Sequence, residues 1–152
     1  MSPFRFLSRV ALLAATAACA AAQRTAVGGP TAGCYSLMVA DWDRTVAAAT
    51  GLPGLPNYVA LDPAASGPRG HRLTVPAAWQ SVGPNPEWAS WRNENGGLIL
   101  TFLGPRGTLE IALRPTPDGL AGDGITPLQG GVTPVRVMMA TSSCVGLRGG
   151  AA

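Results

Sequence analysis

Few side chains in this chain have the types and the spacing that catalysis or metal binding requires. The single histidine, His71, follows a Gly/Pro turn and has no second histidine with which to share a metal ion. Ser142 and Ser143 lack the pattern of a nucleophile elbow. Asp41 and Asp43 precede a short helix-like stretch, where capping accounts for one of them. We therefore predict a protein that is not an enzyme and that uses no metal and no cofactor.

The cysteines indicate the compartment. Cys19 lies in a segment with the layout of a secretory signal peptide, in which two arginines precede an uncharged run from Val10 to Ala22. Cleavage after residue 22 and lipoprotein processing at Cys19 both fit the small residues there. Both routes predict export to the periplasm, the cell envelope or the medium, with membrane contact only through a lipid anchor at Cys19. Cys34 and Cys144 then remain as an even pair, which predicts one disulfide.

The charge of the chain gives no argument for nucleic acid. All eleven basic side chains are arginines, against eight acidic ones, and Arg5 and Arg9 belong to the signal segment. The processed chain is therefore close to neutral, so we predict no nucleic-acid partner. Charged residues make up 12% of the chain, well below the usual level of roughly a quarter, which predicts a surface of small polar and apolar groups.

Short apolar runs between Gly and Pro clusters predict one all-β domain over residues 33–144. A disordered lead at 23–32 and a disordered tail at 145–152 are expected to flank it. Alternation is clearest where Leu109, Ile111 and Leu113 would face a core. Eight strands are predicted: Cys34–Ala40, Asn57–Asp62, His71–Val75, Trp88–Asn93, Leu98–Leu103, Thr108–Leu113, Asp118–Ile125 and Val135–Thr141.

The turns favour an antiparallel meander. GPRG occurs twice, at 67–70 and 104–107, and an Asn-Gly step lies in the stretch 93–97. Such short connections predict an eight-stranded up-and-down barrel, with a curved β-sandwich as the alternative. In the barrel the first and last strands are neighbours, which brings Cys34 and Cys144 within reach of each other. A helix over Trp42–Ala49, capped by Asp41 and ended by Gly51, or an irregular loop in its place, would cover one end.

Several short motifs resemble a group of uncharacterised exported bacterial proteins of lipocalin-like appearance. Gly33-x-Tyr35 is also similar to the Gly-x-Trp of the first lipocalin strand. The resemblance implies a barrel and places Arg136 of the last strand beside Tyr35. Tyr replaces Trp here, the chain is shorter than a typical lipocalin, and no C-terminal helix pattern follows. The motifs are Gly33-Cys34-Tyr35, Trp42, Leu61-Asp62, Trp91, Leu120-x-Gly122 and Cys144.

Aromatic side chains are the best candidates for a binding site. A small barrel either fills its interior with side chains or leaves a cavity at its mouth for one small molecule. We expect a monomer that binds a small, mainly apolar ligand, with a filled structural or interaction barrel of the cell envelope as the alternative. Met38, Met138 and Met139 are expected in the core or along the seam between the terminal strands. The predicted ligand-binding residues are Trp42, Trp79, Trp88, Trp91 and Phe102.

Overall fold

A computed structural model describes residues 30–65, 69–125 and 135–148 of the chain. It is a closed, eight-stranded antiparallel barrel in which each strand pairs with its neighbours in sequence and β1 pairs with β8. The predicted fold class is confirmed, as a barrel and not a sandwich. The signal segment with Cys19 lies outside the described residues. The strands are β1 (Gly33–Ala40), β2 (Tyr58–Ala65), β3 (His71–Thr74), β4 (Ala89–Glu94), β5 (Gly97–Leu103), β6 (Thr108–Thr116), β7 (Gly119–Ile125) and β8 (Val135–Thr141).

The alternating apolar residues fill the interior of the barrel. On β6 the inward positions are buried, whereas Glu110 and Ala112 are exposed on the outer face. β8 has the same pattern, and on β5 the inward positions are buried although the outward Thr101 is buried as well, so the predicted core positions are confirmed. Burying one such side chain stabilises a fold by roughly 1.5–3 kcal/mol. The inward residues of these three strands are all buried: Leu98, Leu100, Phe102, Leu109, Ile111, Leu113, Val135, Val137 and Met139.

The hairpin between β4 and β5 has the turn that its sequence predicts. Asn95 and Gly96 both have positive φ, at 51° and 78°. Two left-handed residues in succession make the turn whose twist matches that of the flanking strands. The ladder accordingly begins beside the turn, where Glu94 pairs with Gly97.

Strands β1 and β8 form the seam that closes the barrel. Their register runs from Tyr35 opposite Thr141 to Ala40 opposite Arg136. Beside it lies the Cys34–Cys144 disulfide, with a Cα–Cα distance of 5.2 Å, which confirms the predicted bond. The same register shows that the placement of Arg136 beside Tyr35 is wrong. Arg136 lies toward the opposite end of the barrel and is exposed, 4.0 Å from Asp123.

A short helix covers the end of the barrel at which β1 stops. Helix α1 (Arg44–Thr50) is capped by Asp43, whose Oδ1 accepts a hydrogen bond from the Val46 backbone N–H. The predicted cap at Asp41 and the start at Trp42 are therefore wrong, because Asp41 has a left-handed backbone with φ 63° outside the helix. Gly51 ends the helix as predicted, with φ 73°. Val46, Leu52 and Leu55 extend the core into this end.

The chain after β8 forms one further helical turn, α2 (Val145–Arg148), within the tail 145–152 for which the sequence predicts disorder. The preceding disulfide anchors its start, and the Leu147 backbone N–H donates to the Cys144 carbonyl at 3.2 Å. Residues 149–152 lie outside the described part of the chain. Among the described helices, neither is long and apolar enough to cross a membrane.

Candidate functional site

The five predicted ligand-binding aromatics do not line one common cavity. Trp91 and Phe102 are buried inside the barrel, whereas Trp42 and Trp79 are half-buried and pack against the edge of the core. The indole N–H of Trp42 is buried without a hydrogen-bond partner in the described region. Trp88 is 2% exposed and lies at the start of β4. It is the member of the set that borders an open groove.

Trp88 and Trp91 pack against different aromatic rings. Trp88 packs on Phe102 with ring centroids 5.7 Å apart. Trp91 packs on His71 at 4.7 Å, and its indole N–H donates to the Asp62 carbonyl at 3.0 Å. His71, which follows a turn, is half-buried against this ring. Both tryptophans are held by packing, so neither is free to rotate into an interior cavity.

The barrel wall opens where β3 and β4 separate. Their ladder has two residue pairs, His71 with Trp91 and Arg72 with Ser90. Beyond Arg72 the chain leaves β4 and makes a long connection, 75–88, with a 3-10 turn at Ala77–Trp79. This connection returns to the wall at Trp88, whose carbonyl accepts a hydrogen bond from the Leu103 N–H at 2.7 Å. A gap therefore remains between β3 and the returning connection.

This gap is the candidate site, which we call the Trp88 groove. Its volume is about 470 Å³, a size that suits one small molecule. Leu73, Val75 and Trp88 form its apolar floor and are almost completely buried, whereas the exposed Arg72, Gln80 and Asn85 border it with polar side chains. The lining consists of Arg72, Leu73, Thr74, Val75, Gln80, Gly83, Asn85, Pro86 and Trp88.

Close packing positions the outer wall of the groove. A Cβ atom added at Gly83 would overlap the ring and Cβ of Trp88, so this backbone lies directly against the indole. Asn85 fixes the next turn, because its side-chain oxygen accepts from the Glu87 N–H at 3.0 Å. Its carbonyl also accepts from the Trp88 N–H at 3.2 Å. Because the side-chain oxygen of Asn85 already accepts the hydrogen bond from Glu87, the NH₂ group of the same amide can donate to another partner.

The electrostatics of the groove differ from those of the neighbouring wall. Arg92 on β4 donates to Glu94 and to Glu110, both at 3.1 Å. The hydrogen bond to Glu110 raises the pKa of Arg92 above its usual value, and the hydrogen bond to Glu94 and the charges of both carboxylates act in the same direction. Partial burial of the guanidinium opposes this shift. Arg72, on the adjacent strand, has no ion-pair partner among the described residues, and no carboxylate lines the groove.

A second groove lies at the other end of the barrel. Its volume is about 370 Å³ and its wall includes Tyr35, Pro115 and Asp118. The Tyr35 hydroxyl there donates to the Thr31 carbonyl at 2.6 Å, so its polar group already has a partner. The described residues of this groove include an acidic one, no basic one and none of the predicted ligand-binding aromatics. The Trp88 groove is for these reasons the better candidate.

Of the three methionines on the barrel strands, two lie outside the core. Met139 is buried inside the barrel, as predicted. Met38 and Met138 face each other across the β1–β8 seam on the outer face, where they are 61% and 44% exposed. Their side chains point outward because each lies one residue out of phase with the buried positions. The prediction of packing in the core or along the seam is therefore confirmed, with Met139 in the core and Met38 and Met138 at the seam.

Most of the groove does not follow from the sequence. Of its lining residues the sequence predicts only Trp88, and it does not distinguish Arg72, Gln80 or Asn85 as binding residues. A usable signal was the length of the connection between β3 and β4, which is longer than a tight hairpin needs. Over the described ranges, no group of three His, Cys, Asp or Glu side chains is placed to hold a metal ion.

No protein-family model, curated protein or solved structure matches this chain. The fold and the groove are therefore interpreted from the chain itself.

Proposed function

We propose that this chain is an exported, non-enzymatic binding protein that holds a small, mainly apolar molecule in the Trp88 groove. The barrel is its rigid scaffold. The aromatic side chains predict a ligand cavity at the mouth of the barrel, and we place the ligand in the Trp88 groove instead because the interior is occupied by side chains. Export rests on the signal-like sequence before the barrel and on the disulfide.

The single observation that carries the proposal is the composition of the groove. Ligand sites in proteins combine apolar walls with a few polar groups that fix the orientation of the ligand. The Trp88 groove has this composition, with Leu73, Val75 and Trp88 beside two side-chain amides. Its position at the gap in the wall gives the ligand access without any opening of the barrel.

Native mass spectrometry tests the proposal. The protein is purified from a bacterial periplasm and its native mass is compared with its denatured mass without reductant. We expect a native excess equal to one small molecule. Thr74→Trp, which places an indole in the groove, should abolish the excess. Thr108→Trp is the matched control on the outer face of β6 and should keep it. Equal native and denatured masses in the wild type, confirmed after incubation with apolar extracts, would contradict the proposal.

A second candidate is a structural or interaction protein of the cell envelope. Two observations favour it: the filled interior, and the exposed Met38–Met138 pair on a wall with little charge. Exposed apolar side chains on a sheet face are found where proteins contact partners. This candidate predicts that Thr74→Trp has no effect on function in the cell, whereas Met38→Glu or Met138→Glu weakens recovery of the protein with the envelope fraction.

A further inference from the structure

The inference drawn here concerns the chemical class of the ligand, and it rests on the proposed function of the Trp88 groove. Among the described residues, Arg72 is the one cationic side chain that lines the groove, and no described carboxylate lines it. From this imbalance we infer that the ligand carries an anionic group, such as a carboxylate, at one end of an apolar body. The ligand is thus an amphiphilic organic acid and not a neutral hydrocarbon-like molecule.

Arg92, on the strand next to Arg72, is ion-paired, which makes the lack of an ion pair at Arg72 in the described part of the chain informative. Arg72 and Arg92 lie on adjacent strands and both side chains are on the outer face. Two carboxylates contact Arg92, each at 3.1 Å. Within the described residues Arg72 has no such contact. A guanidinium is a strong donor for a carboxylate because its N–H groups match the two oxygens.

The remaining polar groups of the groove fit the same ligand. Gln80 and Asn85 each carry an amide NH₂, and the oxygen of Asn85 is already bonded to the Glu87 N–H. The groove therefore offers donors beside Arg72. The apolar surface of Leu73, Val75 and Trp88 lies on the same groove, so one molecule of modest size can contact both parts. This arrangement orients an amphiphile with its acid end at Arg72.

A matched pair of probes tests the inference. Naphthalene-2-carboxylate and naphthalene-2-carboxamide have the same ring system and differ in charge. Binding of each to the disulfide-intact protein is measured by NMR titration of backbone amides. Because Arg72 is exposed, we expect the carboxylate to bind up to about fivefold more tightly, the range found for exposed ion pairs. The preference should shrink at high salt, where exposed charges are screened.

Arg72→Gln should bring the ratio of the two affinities close to one while the neutral probe still binds. Arg114→Gln removes the same charge from an exposed position on β6 and should leave the ratio unchanged. Equal binding of both probes to the wild type, or a ratio that survives Arg72→Gln, would overturn the inference and leave the proposed groove intact. Binding of neither probe at its solubility limit would instead count against the proposed function, and the inference would fall with it.

Discussion

Strand β4 is paired along its whole length with β5 but only over two residues with β3. Toward β5 its whole length is paired, from Ala89 opposite Phe102 to Glu94 opposite Gly97. Toward β3 the ladder has two residue pairs and then stops. The outward arginine on β4 is neutralised by two glutamates, whereas Arg72 on β3 is not. The fully paired side, with its bonded arginine, stabilises the fold, and the open side is where we propose that a ligand binds.

From this contrast we expect side-chain truncations on the two sides of β4 to lower the free energy of unfolding by different amounts. Side chains behind the closed wall have neighbours on every side, so a truncation there leaves a void. Side chains at the open seam are also buried but lie beside the groove, so the space left by their truncation can open to solvent and should cost less stability.

The largest expected loss of stability comes from removing the disulfide beside the β1–β8 seam. Cys34→Ser removes a cross-link between residues 110 apart in sequence. In the chain-entropy model this lowers the free energy of unfolding by about 4–5 kcal/mol. Urea unfolding without reductant measures it. Cys144→Ser should cost the same, and the double variant should cost no more than either one. A loss below about 1 kcal/mol would show that the β1–β8 ladder closes the barrel without help.

Two identical truncations compare the walls directly. Leu100→Ala lies behind the closed β4–β5 wall and should cost about 3–5 kcal/mol, because the cavity it leaves is enclosed. Leu73→Ala lines the groove and should cost about 2–3 kcal/mol, since solvent can enter the space. The two free energies of unfolding come from the same denaturant series. Equal costs would mean that the β3–β4 seam is as tightly closed as the rest of the wall.

A glycine pair tests how the outer wall of the groove is held. Gly83→Ala places a methyl group against Trp88 and must displace the connection or the indole, at about 1–3 kcal/mol. Gly54→Ala is the control, because its new Cβ would lie 3.6 Å from Trp79, an ordinary contact. Hydrogen exchange of the amides in 80–88 should rise in the first variant and not in the second. Unchanged exchange in both would contradict the close contact between Gly83 and Trp88.

The smallest effect should come from the paired arginine. A double-mutant cycle on Arg92→Gln and Glu110→Gln should give a coupling of about 0.2–1 kcal/mol, because both side chains are partly exposed. The coupling is measured from free energies of unfolding at low and at high salt and should decrease as salt is added. Arg72→Gln should change stability less than Arg92→Gln does. A larger loss at Arg72 would reveal an ion pair there.

Local pattern was sufficient to predict the barrel but not its groove. Alternation on β5, β6 and β8, the Asn95-Gly96 turn and the cysteine pair each follow from neighbouring residues, and all are confirmed. The end of the β3–β4 ladder depends on how far two strands can stay paired within the closed barrel. That property is not encoded in either strand alone.

The tryptophans illustrate the same limit. In the sequence Trp88 and Trp91 are three residues apart and equally good candidates for a binding site. In the barrel Trp91 is inside, beside His71, while Trp88 packs under Gly83 at the edge of the gap. Arg72 could not be distinguished from Arg92 either, because the glutamate that neutralises Arg92 most strongly, Glu110, comes from a different strand.

The most direct test of the account maps where a small molecule binds. The protein is labelled with ¹⁵N and with ¹³C at Leu, Ile and Val methyl groups, and naphthalene-2-carboxylate is added in steps. We predict shift changes in the amides of 72–75 and 80–88 and at the methyl groups of Leu73 and Val75, both of which line the groove. The methyl groups of Leu100, Ile111 and Val137 should not respond, because they are enclosed in a filled interior. Saturable shifts at those interior methyl groups, without changes along the groove, would contradict the account and place the ligand inside the barrel.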